Sequence, residues 1–302
     1  MTAFSTLKKA SGDLNRLKKE IEKQESGARQ VDERFWKPDI DKAGNGSAII
    51  RFLPGPAVDG DEALPFVRYF SHAFQGNKGW YFENSLTTFK EPDPCSEYNS
   101  YLWNLIDHKD SPHRVQARAQ KRKLNYVSNI LVISDPKHPE NNGKVFLYEY
   151  GAQIFSKISE MMNPKHEGDE PVNPFDFWSG CNFKMLIAKE EKKGSFPNYN
   201  SSKFDRQSPV FDTDEKIEEL WNKEYSLLEF LDRKRFKTYD ELKKRLDLVM
   251  GFDTANPPTR QAIPTGPVVS TRMDTPDDED DDIEEQMKKF KNFSKDDDNI
   301  PF

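Results

Sequence analysis

Cysteine and long apolar runs are both scarce in this chain of 302 residues. The two cysteines, Cys95 and Cys181, lie far apart, which excludes a disulfide framework and favours a reducing compartment. The start, "MTAFSTLKKASGDLNRLKK", has no apolar core of signal-peptide length, and no stretch approaches the roughly 18–20 apolar residues of a membrane span. With 35% hydrophobic residues and a mean hydropathy of -0.89, the composition predicts that part of the chain, including its termini, is disordered.

The chain also lacks the short motifs of common enzyme sites. Neither G-x-x-x-x-G-K-[ST] nor G-x-G-x-x-G occurs, H-E-x-x-H is absent, and the five histidines are scattered. Aspartate and glutamate are abundant, which leaves a two-metal nuclease open on composition, but no acidic cluster falls on the predicted strands. We therefore expect a protein without enzymatic activity.

Charge is unevenly distributed along the chain. Residues 274–302 carry 12 acidic and 4 basic side chains, whereas residues 1–273 are close to neutral with basic clusters. Such asymmetry is typical of proteins with an oppositely charged partner, often nucleic acid. We divide the chain into a basic N-terminal arm (1–25), a folded core (26–251), a Pro/Thr-rich linker (252–273) and an acidic tail (274–302).

The core has the pattern of an α+β protein that is mainly β. Strand signals occur in "GSAIIRFLP", "YVSNILVI", "KVFLYEY" and "NFKMLIAK", and "PFVRYFSHAF" with "GWYF" predicts a hairpin around "QGNK". Ile154, Ile158 and Met162 predict a helix. Further helices follow residue 214, the last with a capping box at Thr238 and Glu241 and with Gly251 after its end. Short strands separated by turns favour a small barrel or sandwich.

A basic stretch that ends at a tyrosine is the first candidate for function. Between His108 and Val127 lie six Lys or Arg and a single acid, and Tyr126 follows the triplet Lys121–Lys123 closely. Cations beside an exposed ring suit single-stranded nucleic acid, because the charges follow the phosphates and the ring stacks on a base. A solvated loop or helix face is the alternative.

Two further aromatic groups stand out. Tyr148 lies in "GKVFLYEYG", whose alternating rings would share one face of a strand; the pattern alone favours a barrel core over a stacking platform. Phe196 and Tyr199 lie in "KKGSFPNYNSSKF", a loop-like context rich in Lys. Loop aromatics among cations are hard to explain as core, so this loop is the better candidate for base contact.

Several of these blocks, in this order, resemble one known family. The stretches "DKAGNGSAIIRFLP", "KRK" before Tyr126, "NILVISDP", "PENNGKVF" and "SFPNYNSSKF" are similar to the single-stranded DNA-binding proteins of T-even-type bacteriophages. The resemblance runs from about Trp36 to Phe204. It implies an oligonucleotide-binding (OB) fold with an attached zinc-type subdomain at about 64–125. It also implies a basic arm for cooperative self-association on DNA and an acidic tail that recruits replication, recombination and repair proteins. The implied location is the host-cell cytoplasm.

The resemblance also implies site residues. The family's cleft aromatics fall on Tyr126, Tyr148, Phe196 and Tyr199, and its cleft cations fall on Arg51 and Arg122. Lys121 and Lys123, which flank Arg122 in the basic triplet, complete the predicted DNA-binding set. Two further cleft tyrosines of the family fall near Pro92 and Ala117, so part of that surface differs here. Leu124 and Asn125 stand where the family has two hydroxyl residues linked to cooperativity.

The zinc ligands implied by the family are incomplete in this chain. The family's one His and three Cys fall on His72, Ser85, Cys95 and Tyr98, so His72 and Cys95 remain as plausible ligands. Asp93 or Glu97 could substitute for the missing ligands, but nothing in the spacing demands it. Structural zinc almost always has four N or S donors. We therefore expect no cofactor, with the aromatic-rich "WYFENSLTTF" providing apolar packing in place of the metal.

The end of the chain resembles a second family. "SKDDDNIPF" is similar to the tail tip of bacterial single-stranded DNA-binding proteins, which docks on partner enzymes. The resemblance implies partner-binding residues at Asp296, Asp297, Asp298, Ile300, Pro301 and Phe302. Two other functions stay open from sequence: an RNA-binding translational regulator that uses the same cleft, and an adaptor whose acidic tail does the main work.

Overall fold

The computed structural model describes residues 32–60, 62–105, 111–166, 168–189 and 197–252. The chain divides into two units, Met1–Phe35 and Trp36–Phe302. Of the first unit, residues 32–35 are described, and there the Asp32 carboxylate accepts a hydrogen bond from the Arg34 guanidinium at 2.7 Å. The predicted arm and tail, and all of the predicted linker after residue 252, lie outside the described residues.

Eight antiparallel strands form the sheet in the described part of the second unit. Their order is β3-β2-β4-β1-β6-β7, with β5 paired to β4 and β8 paired to β6. The strands are β1 Gly46–Phe52, β2 Val67–Gly76, β3 Gly79–Asn84, β4 Lys123–Ser134, β5 Val145–Gly151, β6 Cys181–Lys189, β7 Pro197–Asn198 and β8 Lys203–Gln207. The helices are α1 Pro94–Leu105, α2 Pro112–Ala119, α3 Ala152–Met162, α4 Asp214–Trp221 and α5 Tyr239–Met250. The predicted mainly-β α+β class is confirmed, and the OB fold stays a prediction.

Strand alternation determines which side chains fill the main core. In β1, Ile50 and Phe52 are fully buried in one large cluster with residues of β4, β5, β6 and α3. The side chain between them, Arg51, lies on the other face of the strand because successive residues alternate. β4 is the central strand, paired with β1, β2 and β5, and residues 126–132 are all buried.

The predicted hairpin and helix ends are confirmed. β2 and β3 pair from Ser71↔Asn84 to Gly76↔Gly79, so the turn falls within the predicted "QGNK". At the start of α5, the Thr238 hydroxyl accepts from the Glu241 backbone N–H, and the Glu241 carboxylate accepts from the Thr238 N–H at 2.8 Å. Gly251 ends α5 in the left-handed region at φ 74°, where glycine has no Cβ to clash.

A second cluster of buried residues joins the β2–β3 hairpin to α1 and α5. It contains Phe74, Tyr81, Cys95, Leu246, Val249 and Met250. The backbone N–H of Lys78 in the hairpin turn also donates to the Val249 carbonyl at 2.8 Å. Within the described residues, no helix is both long and apolar enough to cross a membrane.

Candidate nucleic-acid interface

The basic triplet follows α2 and runs into the first residue of β4, Lys123. Lys121 and Lys123 are exposed, whereas Arg122 is half-buried with its guanidinium carbon 4.1 Å from the centre of the Phe70 ring. Stacking on an aromatic face holds the guanidinium flat while its charge is retained. The structure therefore concentrates fixed positive charge where β4 begins.

Tyr126 is not exposed, which corrects the sequence prediction. Its ring is 0% accessible and stacks on Phe155 of α3, with centroids 4.0 Å apart and planes at 7°. The reason is the central place of β4, since α3 packs over the strand just where the ring emerges. In this conformation Tyr126 offers no face to a base.

Tyr148 is likewise a core residue. It is 3% exposed, and the Tyr150 ring beside it stacks on Tyr126 with centroids 5.6 Å apart. Tyr148 and Tyr150 are 5.5 Å apart at 25°, and Trp36 meets Tyr148 edge-on at 5.4 Å. Burial raises the pKa of the Tyr148 phenol well above its ordinary range. The strand pattern favoured a core here, and the structure confirms that interpretation.

Tyr199 is the half-buried end of this ring series. It packs against the main core cluster, which contains Tyr148, and burial raises the pKa of its phenol. Its backbone N–H donates to the Gln153 side chain at 3.3 Å, and the Gln153 amide donates to Asn200 at 2.9 Å. The structure thus links Tyr126, Tyr148 and Tyr199 through neighbouring rings, with Tyr199 nearest to solvent. Phe196 lies outside the described residues.

The basic triplet and the Tyr199 loop lie at the same end of the β4–β5 pair. Asn125, two residues after Lys123, pairs with Gly151 at the end of β5. Gln153, two residues further on, holds the Tyr199 loop. Backbone pairing therefore places the loop aromatic at the same end of the strand pair as the cations, although they are more than 70 residues apart in sequence.

Arg51 is the predicted cation that the structure does not bring to this surface. It is 0% exposed, and its Nη2 donates to the carbonyls of Asp176 at 2.8 Å and Ser208 at 2.9 Å. Burial lowers the pKa of its guanidinium, partly opposed by Cys181 and Asp176. Because Arg51 lies on the opposite face of β1 from the tyrosine core, it is an internal donor in this conformation rather than a surface phosphate contact.

The residues at the family's zinc positions do not fit a four-donor site. His72 uses both ring nitrogens, one with the Gln120 carbonyl at 2.9 Å and one with the Ser96 hydroxyl at 3.3 Å. Ser85 accepts from a backbone N–H, and Tyr98 packs edge-on against Phe252. In the described part of the chain, no group of three or more His, Cys, Asp or Glu is gathered as metal ligands would be. Metal content itself stays a prediction.

A carboxylate occupies the centre of this region. Asp93 lies 3.5 Å from the His72 ring and accepts hydrogen bonds from the backbone N–H groups of Leu86, Cys95 and Ser96 at 3.0–3.1 Å. Burial alone would raise the pKa of Asp93, but hydrogen bonding and charge from His72, with the Ser96 N–H, outweigh it and lower the pKa to about 2. Asp93 is therefore ionised at neutral pH.

Two exposed aromatics on β3 were missed by the sequence analysis, which expected this segment to pack. Only Tyr81 is buried, at 1% exposure, whereas Trp80 and Phe82 are 51% and 50% exposed. Their rings stack on one another with centroids 5.2 Å apart and planes at 10°. Strand alternation after the predicted hairpin is the signal that could have separated them from Tyr81.

Comparison with known proteins places these features in a family. A family model described as "gp32 DNA binding protein like" matches residues 44–250. The single-stranded DNA-binding protein of Enterobacteria phage T2 is 34% identical over 247 residues, which cover 81% of this chain and 79% of that protein. Its counterpart from Enterobacteria phage T4 is 36% identical over 228 residues, covering 74% of this chain and 73% of that protein.

These matches bear on two of the sequence predictions. The relatives are named for binding rather than for catalysis, which confirms the expectation of a non-enzymatic protein. They are also phage proteins, as the resemblance of the blocks between Trp36 and Phe204 indicated. With a family model over most of the core and relatives above 30% identity, the chain belongs to the gp32-like family of phage single-stranded DNA-binding proteins.

Proposed function

We propose that this protein binds and coats single-stranded DNA, with little sequence preference, in phage replication, recombination and repair. The observation that carries the proposal is that the Lys121–Lys123 triplet and the Tyr199 loop lie at the same end of the β4–β5 pair. Cations follow the phosphates of a single strand, and an aromatic ring stacks on any base because every base has a π face. The names of the relatives support the same ligand.

Duplex DNA suits this arrangement poorly, because its bases are already stacked and paired. A protein that holds single strands by stacking therefore shifts DNA melting toward the separated strands. The acidic tail (274–302), with Asp296–Asp298 and Ile300–Phe302 at its tip, recruits partner enzymes in this proposal, and the basic arm (1–25) contacts a neighbouring copy on DNA. We propose the host-cell cytoplasm as the place of action.

The direct test is a titration of fluorescent oligo(dT), oligo(U) and random duplex at several salt concentrations. We expect oligo(dT) to bind most tightly and the affinity to fall as salt rises. Equal or tighter binding of oligo(U) would favour the RNA-binding regulator, and preference for duplex would refute the proposal.

A matched pair of variants tests the cationic surface. Replacing Lys121, Arg122 and Lys123 together by Ala removes three cations at the proposed interface. Replacing the exposed Lys216 and Lys223 of the α4 region by Ala removes cations elsewhere. Only the first variant should lose affinity and salt dependence; equal effects would mean that overall charge, rather than this surface, binds DNA.

A further inference from the structure

Strand β3 carries two large aromatic side chains, Trp80 and Phe82, that are exposed to solvent. Trp80 and Phe82 are two residues apart on one strand and therefore lie on the same face. Stacked at 5.2 Å with planes 10° apart, each ring covers part of the other and keeps about half of its surface open. On the opposite face of the hairpin, His72, Phe74 and Tyr81 are buried. The pair is thus not needed to close the core.

The sheet connects this pair directly to the basic triplet. Within β2, Ala73 pairs with Phe82 and Ser71 pairs with Lys123 of β4. Directly paired residues lie on the same face of an antiparallel sheet, as do alternate residues of one strand. Phe82 and Lys123 therefore share a face and are separated by two strand spacings (about 10 Å) across the sheet and two residues (about 7 Å) along it.

Small side chains separate the rings from the cation. Ala73 and Ser71 lie between them, and both are only partly exposed. Beyond Lys123 the same face continues to Asn125, whose amide donates to the Ser71 hydroxyl at 2.8 Å. The face is therefore shallow in its middle, with aromatic rings on one side and a cation on the other.

We infer that Trp80 and Phe82 form a second base-stacking site, which extends the single-strand contact from the Lys121–Lys123 triplet across β2 to the sheet edge. The inference rests on the proposed DNA binding and names a contact that the family resemblance does not supply. A nucleobase is a flat ring that can continue an existing offset stack, while its phosphate needs the cation that Lys123 provides. Single-stranded DNA is the occupant that uses both features.

The charge of the face favours a polyanion over an apolar protein surface, and the two flat rings favour nucleic acid over an acidic peptide. The acidic neighbour of the pair, Glu83, has the opposite orientation on β3, and its carboxylate contacts Lys237. The Glu149 carboxylate, which lies further along the sheet, accepts a hydrogen bond from the Tyr69 phenol at 2.9 Å. Phosphates along Lys123 and Ala73 would therefore meet a cation and small neutral groups.

The test compares aromatic with aliphatic side chains at the pair. The double variant Trp80→Leu/Phe82→Leu keeps apolar area but removes both rings, and Trp80→Phe/Phe82→Tyr keeps two rings. Trp178→Leu is the matched control, because Trp178 is 57% exposed and its indole N–H donates to Asp214 at 3.0 Å, away from this face. Full-length variants are titrated with oligo(dT) of about 4 to about 16 nucleotides, the range of single-strand site sizes.

We expect the Leu double variant to lose about five-fold or more in affinity on the longer oligonucleotides and little on the shortest, since one stacked base contributes about 1–3 kcal/mol. The ring-retaining variant and Trp178→Leu should bind like the unaltered protein. Photo-crosslinking of a 5-iodouracil oligonucleotide should label the peptide that contains residues 79–84. Unchanged melting temperatures confirm that each variant is folded.

The outcomes separate this inference from the proposed function. If the unaltered protein does not bind oligo(dT), the proposed function fails. If it binds but the Leu double variant binds equally at every length, without crosslinking at residues 79–84, the second site is refuted. Equal DNA binding together with loss of self-association, measured by sedimentation, would identify the pair as a protein contact and would also refute it.

Discussion

The structure predicts opposite roles in DNA binding for Arg51 and Lys123, although the sequence analysis places both in the DNA-binding set. The structure buries Arg51 completely and exposes Lys123 at the start of β4. Each phosphate contact on a single strand contributes about -0.7 to the slope of log K against log salt. We expect Lys123→Ala to reduce the magnitude of that slope by up to about 0.7, and Arg51→Met to leave it unchanged.

The same structure predicts that Arg51→Met acts on stability instead. The substitution removes the donor to the Asp176 and Ser208 carbonyls. The Asp176 carbonyl keeps a second donor, the Gly180 N–H at 3.1 Å, so the loss falls mainly on Ser208. Depriving a buried carbonyl of its partner costs about 1–3 kcal/mol, and relief of the buried charge offsets part of this. We therefore expect the free energy of unfolding to fall by about 1–3 kcal/mol.

The assay is a fluorescence titration of oligo(dT) at several salt concentrations, with denaturant unfolding of the same samples. Lys216→Ala serves as the control for loss of a surface cation elsewhere. A folded Arg51→Met protein with a slope reduced like that of Lys123→Ala would refute the reasoning. It would mean that the strand and loops around Arg51 open on DNA and let the guanidinium reach a phosphate.

Four further predictions follow from the described residues and from the sequence. Tyr199→Ala should weaken oligo(dT) binding by about 1–3 kcal/mol, whereas unchanged affinity in a folded variant would remove the ring from the interface. Glu224 is buried, its carboxylate oxygens have no hydrogen-bond partner among the described residues, and burial raises its pKa from 4.5 to about 9. Because the pKa of this carboxyl is higher in the folded than in the unfolded protein, the protein loses stability as pH rises from about 4.5 to 9. Glu224→Gln should therefore increase the free energy of unfolding by up to about 3 kcal/mol at pH 7 and by little near pH 4. A gain that is independent of pH would contradict this. Elemental analysis should find less than one zinc per chain, and chelator should not change the melting temperature; stoichiometric zinc would overturn the ligand argument. Deleting residues 300–302 should abolish binding of partner enzymes and leave DNA affinity unchanged, and retained partner binding would refute recruitment by the tip.

Local sequence signals predicted the elements of the fold well. Alternation around Ile50 and Phe52, the hairpin between β2 and β3, and the capping box at Thr238 are all encoded within a few residues. The order of strands in the sheet is set by pairings between distant segments, such as β1 with β6. Such pairings depend on packing across the whole core, which no local pattern specifies.

Only the part of the candidate site that depends on local sequence signals was predictable. Lys121 and Lys123 are exposed and Arg122 is half-buried, because charged side chains avoid the core, so composition alone located this triplet. Tyr126 has the same local context, yet α3 covers its ring, and that contact joins residues almost 30 positions apart. Trp80 shows the converse, since an aromatic-rich segment predicts packing but strand alternation turns every second ring outward.

The region around His72 has a carboxylate at the place where the family resemblance implies zinc ligands. The resemblance implies one histidine and three thiolates, and this chain has His72, Ser85, Cys95 and Tyr98 at those positions. Here the Asp93 carboxylate receives donors from the turn at Leu86 and from the start of α1 at Cys95 and Ser96, and it faces His72 on β2. Three segments thus converge on one acidic side chain, which stays ionised above its pKa of about 2. A carboxylate link of this kind requires no thiolate, which explains how Cys95 can be a fully buried residue whose pKa is raised by burial. Tyr81 and Phe74 pack together on the inner face of the hairpin, beside this link. Trp80 and Phe82 lie on the outer face of β3, which takes no part in this cluster, and both rings are therefore exposed.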